Sequence, residues 1–281
     1  MRRLLRASLV MLTIAGCSTS PEGRTQLVLP GSMHSFSAIY SEIDMRMQLI
    51  TATSDPACGE EECVANRAFD LKILTLGERL AGAAFRQYPD LTTRFPQFEI
   101  IVADKADPGA ASSAAGAVVI YRGVQRLNLD ESVLAFVLAR EISQVIGSHH
   151  DENVTTNVLV SLAAQILMPF LNVARGAASA VASGTTATVA STAATTTVLV
   201  SAASLAGASA IRATYRPEQI READIMAMKL LRTAGWESHQ VFDQLQAFSP
   251  ATKNEHAWTA ELRESAQHIA GTSQDRITPQ S

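Results

Sequence analysis

Residues 130–152 read DESVLAFVLAREISQVIGSHHDE, a run in which apolar side chains recur at helical spacing. Asp130 is a suitable N-cap because its carboxylate can accept a hydrogen bond from a free backbone N–H of the first turn. Glu131 would lie near the positive end of the helix dipole. These features predict a helix from about 131 to 147. Its centre reads Arg140-Glu141-Ile142-Ser143-Gln144, so charged and amide side chains interrupt an otherwise apolar segment.

This central frame matches a metal-binding pattern at one position only. In His-Glu-x-x-His, two histidines on one helix face reach a single zinc ion, and the glutamate between them is the general base for the metal-bound water. Here Glu141 keeps the general-base position, while Arg140 and Gln144 replace the two histidines. A guanidinium cation cannot ligate zinc, and a neutral amide is a poor substitute for imidazole. The frame therefore favours a helix of this type without its metal.

The chain resembles metallopeptidase family 48, which includes the CAAX prenyl proteases, the HtpX-type heat-shock proteases and bacterial periplasmic lipoproteins. A strand, a loop and a second strand are expected over 98–124. They precede the helix predicted over 131–147, as in the family, and this helix is called the degenerate helix because its metal ligands are replaced. The family's third ligand is the glutamate that opens Glu-x-x-Ala-Asp. This chain has Ile220-Arg221-Glu222-Ala223-Asp224, so Ile220 takes the ligand position. A late His-Pro-x-Thr-x-Glu-Arg signature is matched in part over 256–262.

The resemblance implies an α+β, mainly helical fold, that of a zincin-like (gluzincin) metallopeptidase with a small sheet. It implies a groove edge near Gly109, Ala110 and Gly116, and a lid residue at His256. Glu141 then occupies a vestigial general-base position. Metal ligands and cofactors are not expected, although zinc would be required if an unusual ligand set replaces the usual one.

A buried arginine at the degenerate site needs a partner, because an unpaired buried charge is costly. Arg140 is therefore expected to reach Glu222 or Asp224 and to place an ion-pair cluster where zinc would bind. On a continuous helix, His149 lies about 180° from Arg140, and His150 points elsewhere again. We expect hydrogen-bonded or solvated histidines, since a zinc site needs three converging ligands. No Ser-His-Asp or Cys-His arrangement with family spacing replaces the metal.

Residues 1–16 predict a secretory lipoprotein signal. Three arginines precede an apolar run over 7–14 that is too short to span a bilayer. The run leads into a segment similar to a bacterial lipobox, in which Cys17 would be acylated; an ordinary signal peptide with a chance cysteine is the alternative. Because Ser18 follows rather than aspartate, we expect a lipid anchor on the periplasmic face of the outer membrane, in the bacterial cell envelope.

Cys58 and Cys63 remain as an even pair in an oxidising compartment, which predicts a local disulfide. A metal-binding pair is the weaker alternative, because no further cysteine or nearby histidine completes four ligands.

The organisation predicted for the 281 residues is a signal over 1–16, a tether over 17–36, a peptidase-like domain over 37–270 and a disordered tail over 271–281. At 47% hydrophobic residues, the chain can bury a full core. The net charge is −4 and basic residues are not interleaved with aromatic ones, so nucleic acid is not an expected partner. Apolar spacing predicts helices over 37–50 and 64–87, and strands over 97–103 and 117–121. In the second helix the steps of four, three and four place Phe69, Ile73, Leu76 and Leu80 on one face.

An insert over about 158–214 is rich in Ala, Ser and Thr, and its stretch 176–211 carries no charge. It could form a transmembrane hairpin, but its polar residues make it a weak candidate. The alternatives are small-residue helices or a poorly ordered insert packed on the domain, and a lipid-facing or partner-facing surface.

Three functional hypotheses follow. The first is a membrane-anchored pseudopeptidase that binds polypeptide clients in the cell envelope by strand addition. The second is an active metalloendopeptidase of envelope protein quality control with an unusual ligand set. The third is a structural lipoprotein that docks an envelope partner through its insert.

Overall fold

The long central helix of the sequence organises the whole architecture. The computed structural model describes residues 16–28, 34–54, 57–159, 216–248 and 256–275, which form a mainly helical α+β fold with two small sheets. In chain order the strands and helices are β1 Gly16–Thr19, β2 Thr25–Val28, α1 His34–Thr51, α2 Glu60–Gln87, β3 Glu99–Ala103, β4 Ala110–Ser112, β5 Ala117–Tyr121, α3 Glu131–Ile146, α4 over 149–159, α5 over 216–233, α6 Ser238–Ala247 and α7 Ala257–Asp275.

Helix α3 begins as the sequence predicts. Asp130 accepts a hydrogen bond from the backbone N–H of Ser132 at 2.8 Å, which satisfies one of the free donors of the first turn. Every residue of α3 except Glu131 and Gln144 is buried. A helix that is buried on all sides lies at the centre of a fold, so the site on α3 is surrounded by the other elements.

Helix α2 packs against α3 and against the sheet. The apolar face predicted at Phe69, Ile73, Leu76 and Leu80 is buried, which confirms the helical spacing. Gly77 lies on the same face, where an added Cβ would meet Ile100 of β3 at 2.7 Å. Glycine at this position therefore allows the helix to approach the sheet closely.

The larger sheet has the strand order β3-β5-β4. Strand β3 runs parallel to β5, whereas β4 runs antiparallel to it and pairs Ala110 with Ile120 and Ser112 with Val118. Within the described residues β4 is thus an edge strand. Helix α3 packs on the face of the sheet that carries Val118 and Ile120, and α1 packs on the opposite face, which carries Ala117 and Val119.

The smaller sheet is a hairpin of β1 and β2 that the sequence analysis did not predict. Apart from Gly16, which ends the predicted signal, its residues fall within the segment interpreted only as a tether, yet they pair antiparallel from Gly16 with Val28 to Thr19 with Thr25. Cys17 is an exposed free thiol on β1. Its acylation stays a prediction.

Other sequence predictions have mixed outcomes. Cys58 and Cys63 are joined by a disulfide next to the start of α2. Helix α7 extends to Asp275, so residues 271–275 are helical where the sequence suggested a disordered tail.

None of the helices in the described part of the chain is long and apolar enough to cross a membrane. The signal sequence up to residue 15 and nearly all of the insert, over 160–215, lie outside the described residues.

Candidate functional site

Arg140 is buried at the centre of the fold and paired with two carboxylates. Its Nε lies 3.6 Å from Oδ1 of Asp224 on α5, and its guanidinium also donates to Glu261 on α7. Arg216 donates to the second oxygen of Glu261 at 2.8 Å. Arg140, Asp224, Glu261 and Arg216 are called the Arg140 cluster below. The two cations and two anions neutralise one another. Arg140 and Asp224 are buried and require such pairing, whereas Arg216 is exposed.

The pKa values of the cluster follow from this pairing. Burial alone would lower the pKa of Arg140, but the charges of Asp224 and Glu261 outweigh it and raise that pKa, so the guanidinium stays charged. Burial alone would raise the pKa of Glu261, and the two arginines lower it instead. The cluster therefore holds a salt-bridged network at neutral pH.

Of the two alternative partners expected for Arg140, Glu222 or Asp224, the structure selects Asp224. Residues two apart on a helix differ in direction by about 200°. Glu222 therefore lies on the other side of α5, where its Oε2 is 3.0 Å from Nε2 of His149.

A second group of charges forms around Glu222. Arg24, which follows β1, donates to Glu222 at 2.8 Å and to both oxygens of Glu152 on α4 at 3.0 and 2.8 Å. Arg24, Glu152, Glu222 and His149 are called the Arg24 cluster. This cluster fixes the N-terminal hairpin to helices α4 and α5.

Glu141 directs its carboxylate towards the edge strand. The Ser112 hydroxyl donates to Oε2 at 2.8 Å, and the Gln144 amide donates to Oε1 at 3.2 Å. Burial raises the pKa of Glu141, although the charge of Arg140 and the hydrogen bond from Ser112 act in the opposite direction. Both oxygens of the general-base position are thus engaged by donors of the protein itself.

His150 also enters this region, so the prediction that it points elsewhere is wrong. Its Nε2 lies 3.0 Å from the Ser112 hydroxyl, and Ser112 therefore links His150 to Glu141. Burial lowers the pKa of His150 to about 4, and the imidazole is neutral at neutral pH. The helical-wheel argument fails because α3 ends at Ile146 and Ser148, at φ 56°, changes the direction of the chain before α4.

These side chains line a cleft of about 450 Å³. Helix α1 provides a mainly polar wall that includes Ser41, Asp44 and Gln48. His256, the expected lid residue, lines the same cleft, and its ring accepts a hydrogen bond from the backbone N–H of Trp258 at 3.2 Å. The degenerate helix, the edge strand and the proposed lid residue thus meet at one place.

The three residues expected at the groove edge occupy different positions. Ala110 lies on β4 and lines the cleft. Gly109 precedes the strand, and an added Cβ would meet the ring of Tyr121 at 2.6 Å. Gly116 lies in the β4–β5 turn with a φ of +90°, packed against Phe95. A bulky residue at Gly116 would strain this turn, so it is a poor probe of the cleft.

The residues at the ligand positions do not fit a zinc ion. Arg140 presents a cation where the metal would need a donor, the Gln144 amide is turned to Glu141, and Ile220 offers only hydrocarbon. In the described part of the chain no group of three or more His, Cys, Asp and Glu side chains is placed to hold a metal. The usual zinc chemistry therefore has no ligand set at these positions.

Sequence reasoning missed Ser112, His150, Arg24 and Glu152. The signals were weak: Ser112 lies two residues beyond the expected groove-edge residue Ala110, and the other three residues are ordinary polar side chains in sequence. Their roles become visible only when β4, α4 and the hairpin are brought together.

Comparison with protein families gives one match. The model of Peptidase family M48 matches residues 72–264, which is more than half of the chain and contains the degenerate helix, β4 and most of α5 to α7 as described. No curated protein matches the chain.

Proposed function

The chain belongs to peptidase family M48, and we propose that its cleft binds extended polypeptide segments without cutting them. The observation that carries the proposal is the hydrogen-bonding register of the edge strand β4. It directs backbone donors and acceptors away from the sheet, next to the cleft that holds Glu141.

The register follows from two bonds that flank the strand pair. Tyr121 N–H donates to the carbonyl of Gly109, and Ser113 N–H donates to the carbonyl of Ala117, both at 2.9 Å. In an antiparallel ladder hydrogen-bonded and non-hydrogen-bonded pairs alternate. Three residues lie between those bonded pairs, and the middle one, Ala111, forms the next hydrogen-bonded pair with Val119. Ala110 and Ser112 therefore point their backbone N–H and C=O groups away from β5. An extended peptide can add to these groups as a further strand.

The absence of cutting is proposed from the chemistry of the surrounding side chains. A peptidase of this kind uses a metal-bound water that a glutamate activates. Here Arg140 fills the first ligand position with a salt-bridged cation, and the oxygens of Glu141 accept hydrogen bonds from Ser112 and Gln144. These contacts favour a binding site over a hydrolytic one.

We further propose that the domain is anchored by acylation of Cys17 to the periplasmic face of the outer membrane. Exposure of Cys17 on β1 supports this placement, because an acyl chain there would not have to leave the core. The clients would then be polypeptides or proteins of the cell envelope.

The test replaces Ala110, whose N–H faces the open edge. Ala110→Pro removes that donor without removing a β4–β5 ladder bond, whereas Ala110→Val keeps the donor and is the matched control. Binding is measured by fluorescence anisotropy with a labelled peptide of alternating apolar and polar residues. We expect Ala110→Pro to weaken binding by about ten-fold and Ala110→Val to bind as the parent does.

Mass spectrometry of the same peptide after incubation completes the experiment. We expect the peptide to stay intact with the parent protein. Equal binding by folded Ala110→Pro would contradict strand addition. Cleavage by the parent that is lost in Glu141→Gln would contradict the non-catalytic role and favour the active metalloendopeptidase.

A further inference from the structure

Helix α1 carries an exposed apolar stripe on the side opposite the cleft. Its six large apolar residues are between 39% and 74% exposed, and each lies three or four residues from another of the set: Phe36, Ile39, Tyr40, Ile43, Met47 and Ile50. This spacing places them along one face of the helix. A continuous exposed apolar face usually marks an interaction surface.

The orientation of α1 is fixed by its other face. Ser37, Ser41 and Met45 are buried against the domain, and the Ser41 hydroxyl accepts a hydrogen bond from the backbone N–H of Ala114 at 2.9 Å. The inward face thus carries two serines with Met45 and the partly buried Leu49, while most of the large apolar residues of α1 point outward. A surface helix whose only role is to cover a core would expose polar residues there instead.

The size of the stripe argues against a second copy of the chain as its occupant. An 18-residue helix is about 27 Å long and about 10 Å wide, so one face offers on the order of 300 Å². A stable protein interface needs about 800 Å² from each partner. The stripe alone is too small for such a dimer, whereas a helix lying in a lipid interface needs only one apolar face.

We propose that the α1 stripe lies on the surface of a lipid bilayer. The inference rests on the proposed anchoring of this domain to a membrane. In the hairpin Cys17 pairs with Leu27, and α1 begins at His34, so the chain limits the distance from Leu27 to α1 to about 25 Å. An acyl anchor at Cys17 would therefore hold α1 close to the membrane.

The charges on α1 indicate which kind of lipid surface the stripe fits. Arg46 is paired with Glu42 at 2.5 Å, and Asp44 adds a negative charge. The helix has no excess of positive charge that would attract anionic lipids. Binding should therefore depend on apolar contact, should occur on neutral phosphatidylcholine vesicles, and should persist at high salt.

The experiment measures flotation with phosphatidylcholine vesicles for residues 17–281 carrying Cys17→Ser. This chain contains the entire described core but cannot be acylated at Cys17. The variant Ile39→Gln, Ile43→Gln and Ile50→Gln keeps good helix formers while removing the apolar face. We expect it to reduce the bound fraction by about ten-fold. The matched control is Val64→Gln, Leu71→Gln and Leu74→Gln, which changes three exposed apolar residues of α2 and should bind as the parent does.

The inference would be overturned by a lack of vesicle binding by the parent, by equal binding by the α1 variant, or by light scattering that shows a parent dimer converted to a monomer by the α1 changes. Binding that disappears at high salt would also contradict it. Peptide binding in solution, measured on the same α1 variant, reports separately on the proposed cleft function, because none of the three changed residues lines the cleft.

Discussion

The Arg140 cluster and the Arg24 cluster share helix α5 but differ in how hydrogen bonds satisfy their charges. Within the described residues, neither oxygen of Asp224 nor Nε of Arg140 has a hydrogen-bond partner, and the two groups are 3.6 Å apart. Arg24, in contrast, donates to Glu152 and Glu222 over 2.8 to 3.0 Å. The Arg140–Asp224 pair is thus held mainly by charge. In the second cluster short hydrogen bonds join Arg24 to both carboxylates, although Oε1 of Glu222 and Nδ1 of His149 have no partner among the described residues.

The two clusters therefore have different roles. A buried ion pair without good hydrogen bonds contributes little net stability, yet the loss of one member is costly because the other is left uncompensated. A bidentate arginine with short bonds orients the groups that it joins. We therefore interpret the Arg140 cluster as a group of balanced charges that occupies the positions of the zinc ligands. The Arg24 cluster is the contact that fixes the N-terminal hairpin.

The largest expected effect comes from breaking the Arg140 cluster. Arg140→Met should lower the free energy of unfolding by about 3–5 kcal/mol, since Asp224 is fully buried and would lose its cation. Arg140→Met combined with Asp224→Leu removes both charges and should recover most of that loss. Urea denaturation of the two variants measures this. A double variant no more stable than the single one would contradict the interpretation.

Breaking the Arg24 cluster should have a smaller effect. Arg24→Met leaves two carboxylates with fewer donors, but Arg24 is partly exposed, and we expect a loss of roughly 2–3 kcal/mol. Arg46→Met, on the exposed pair with Glu42, is the control and should stay within about 0.5 kcal/mol of the parent. Urea denaturation at neutral pH compares them. Equal effects for Arg24 and Arg46 would show that the hairpin is not held as described.

The pH dependence of Glu222 should be smaller again. Burial would raise its pKa, but hydrogen bonds from His149, Ser20 and Arg24 lower it to about 2. A lowered carboxyl pKa stabilises the fold fully above the ordinary value near 4.5, and this contribution is lost as the pH falls towards 2. Glu222→Gln should therefore lose less stability than the parent between pH 5 and 2.5, by about 1–2 kcal/mol after allowing for solvent screening. If the parent and Glu222→Gln lost the same amount of stability across this pH range, the prediction would be contradicted.

Glu141 should show the opposite sign and the smallest effect. Burial raises its pKa, so its contribution to stability is present at low pH and is lost as the pH rises through the raised value. Glu141→Gln keeps an acceptor for Ser112 and should be equal to or more stable than the parent at pH 7, by at most about 1 kcal/mol. Thermal unfolding at several pH values measures it. A clear destabilisation at neutral pH would show that the charged form is favoured in the fold.

Much of the fold could be predicted because its signals are local. Asp130 and the apolar run after it predict α3, and the spacing from Phe69 to Leu80 predicts the buried face of α2. The hairpin could not be predicted in this way. Its strands are four residues long, and Arg24 is 128 residues from Glu152 and 198 from Glu222. Contacts at such separations leave no periodic signal in the sequence.

The candidate site could likewise be predicted where its signals are local and not where it depends on long-range contacts. The motif shows that Arg140 replaces a zinc-binding histidine. Its pairing with Asp224 follows because a buried charge needs a partner of opposite sign. The contact between His150 and Ser112 does not, because it depends on the change of direction at Ser148 and on the position of an edge strand only three residues long. Local rules place residues on elements, whereas these contacts depend on how the elements meet.

Zinc content shows directly whether Arg140 and its carboxylates take the place of a metal site. Elemental analysis of the purified chain, prepared without chelator, should give well under one zinc per chain. The combined change Arg140→His, Gln144→His and Ile220→Glu supplies three ligands and is the positive control, expected to approach one zinc per chain. A ratio near one in the unmodified protein would contradict the account and make the active metalloendopeptidase the leading explanation.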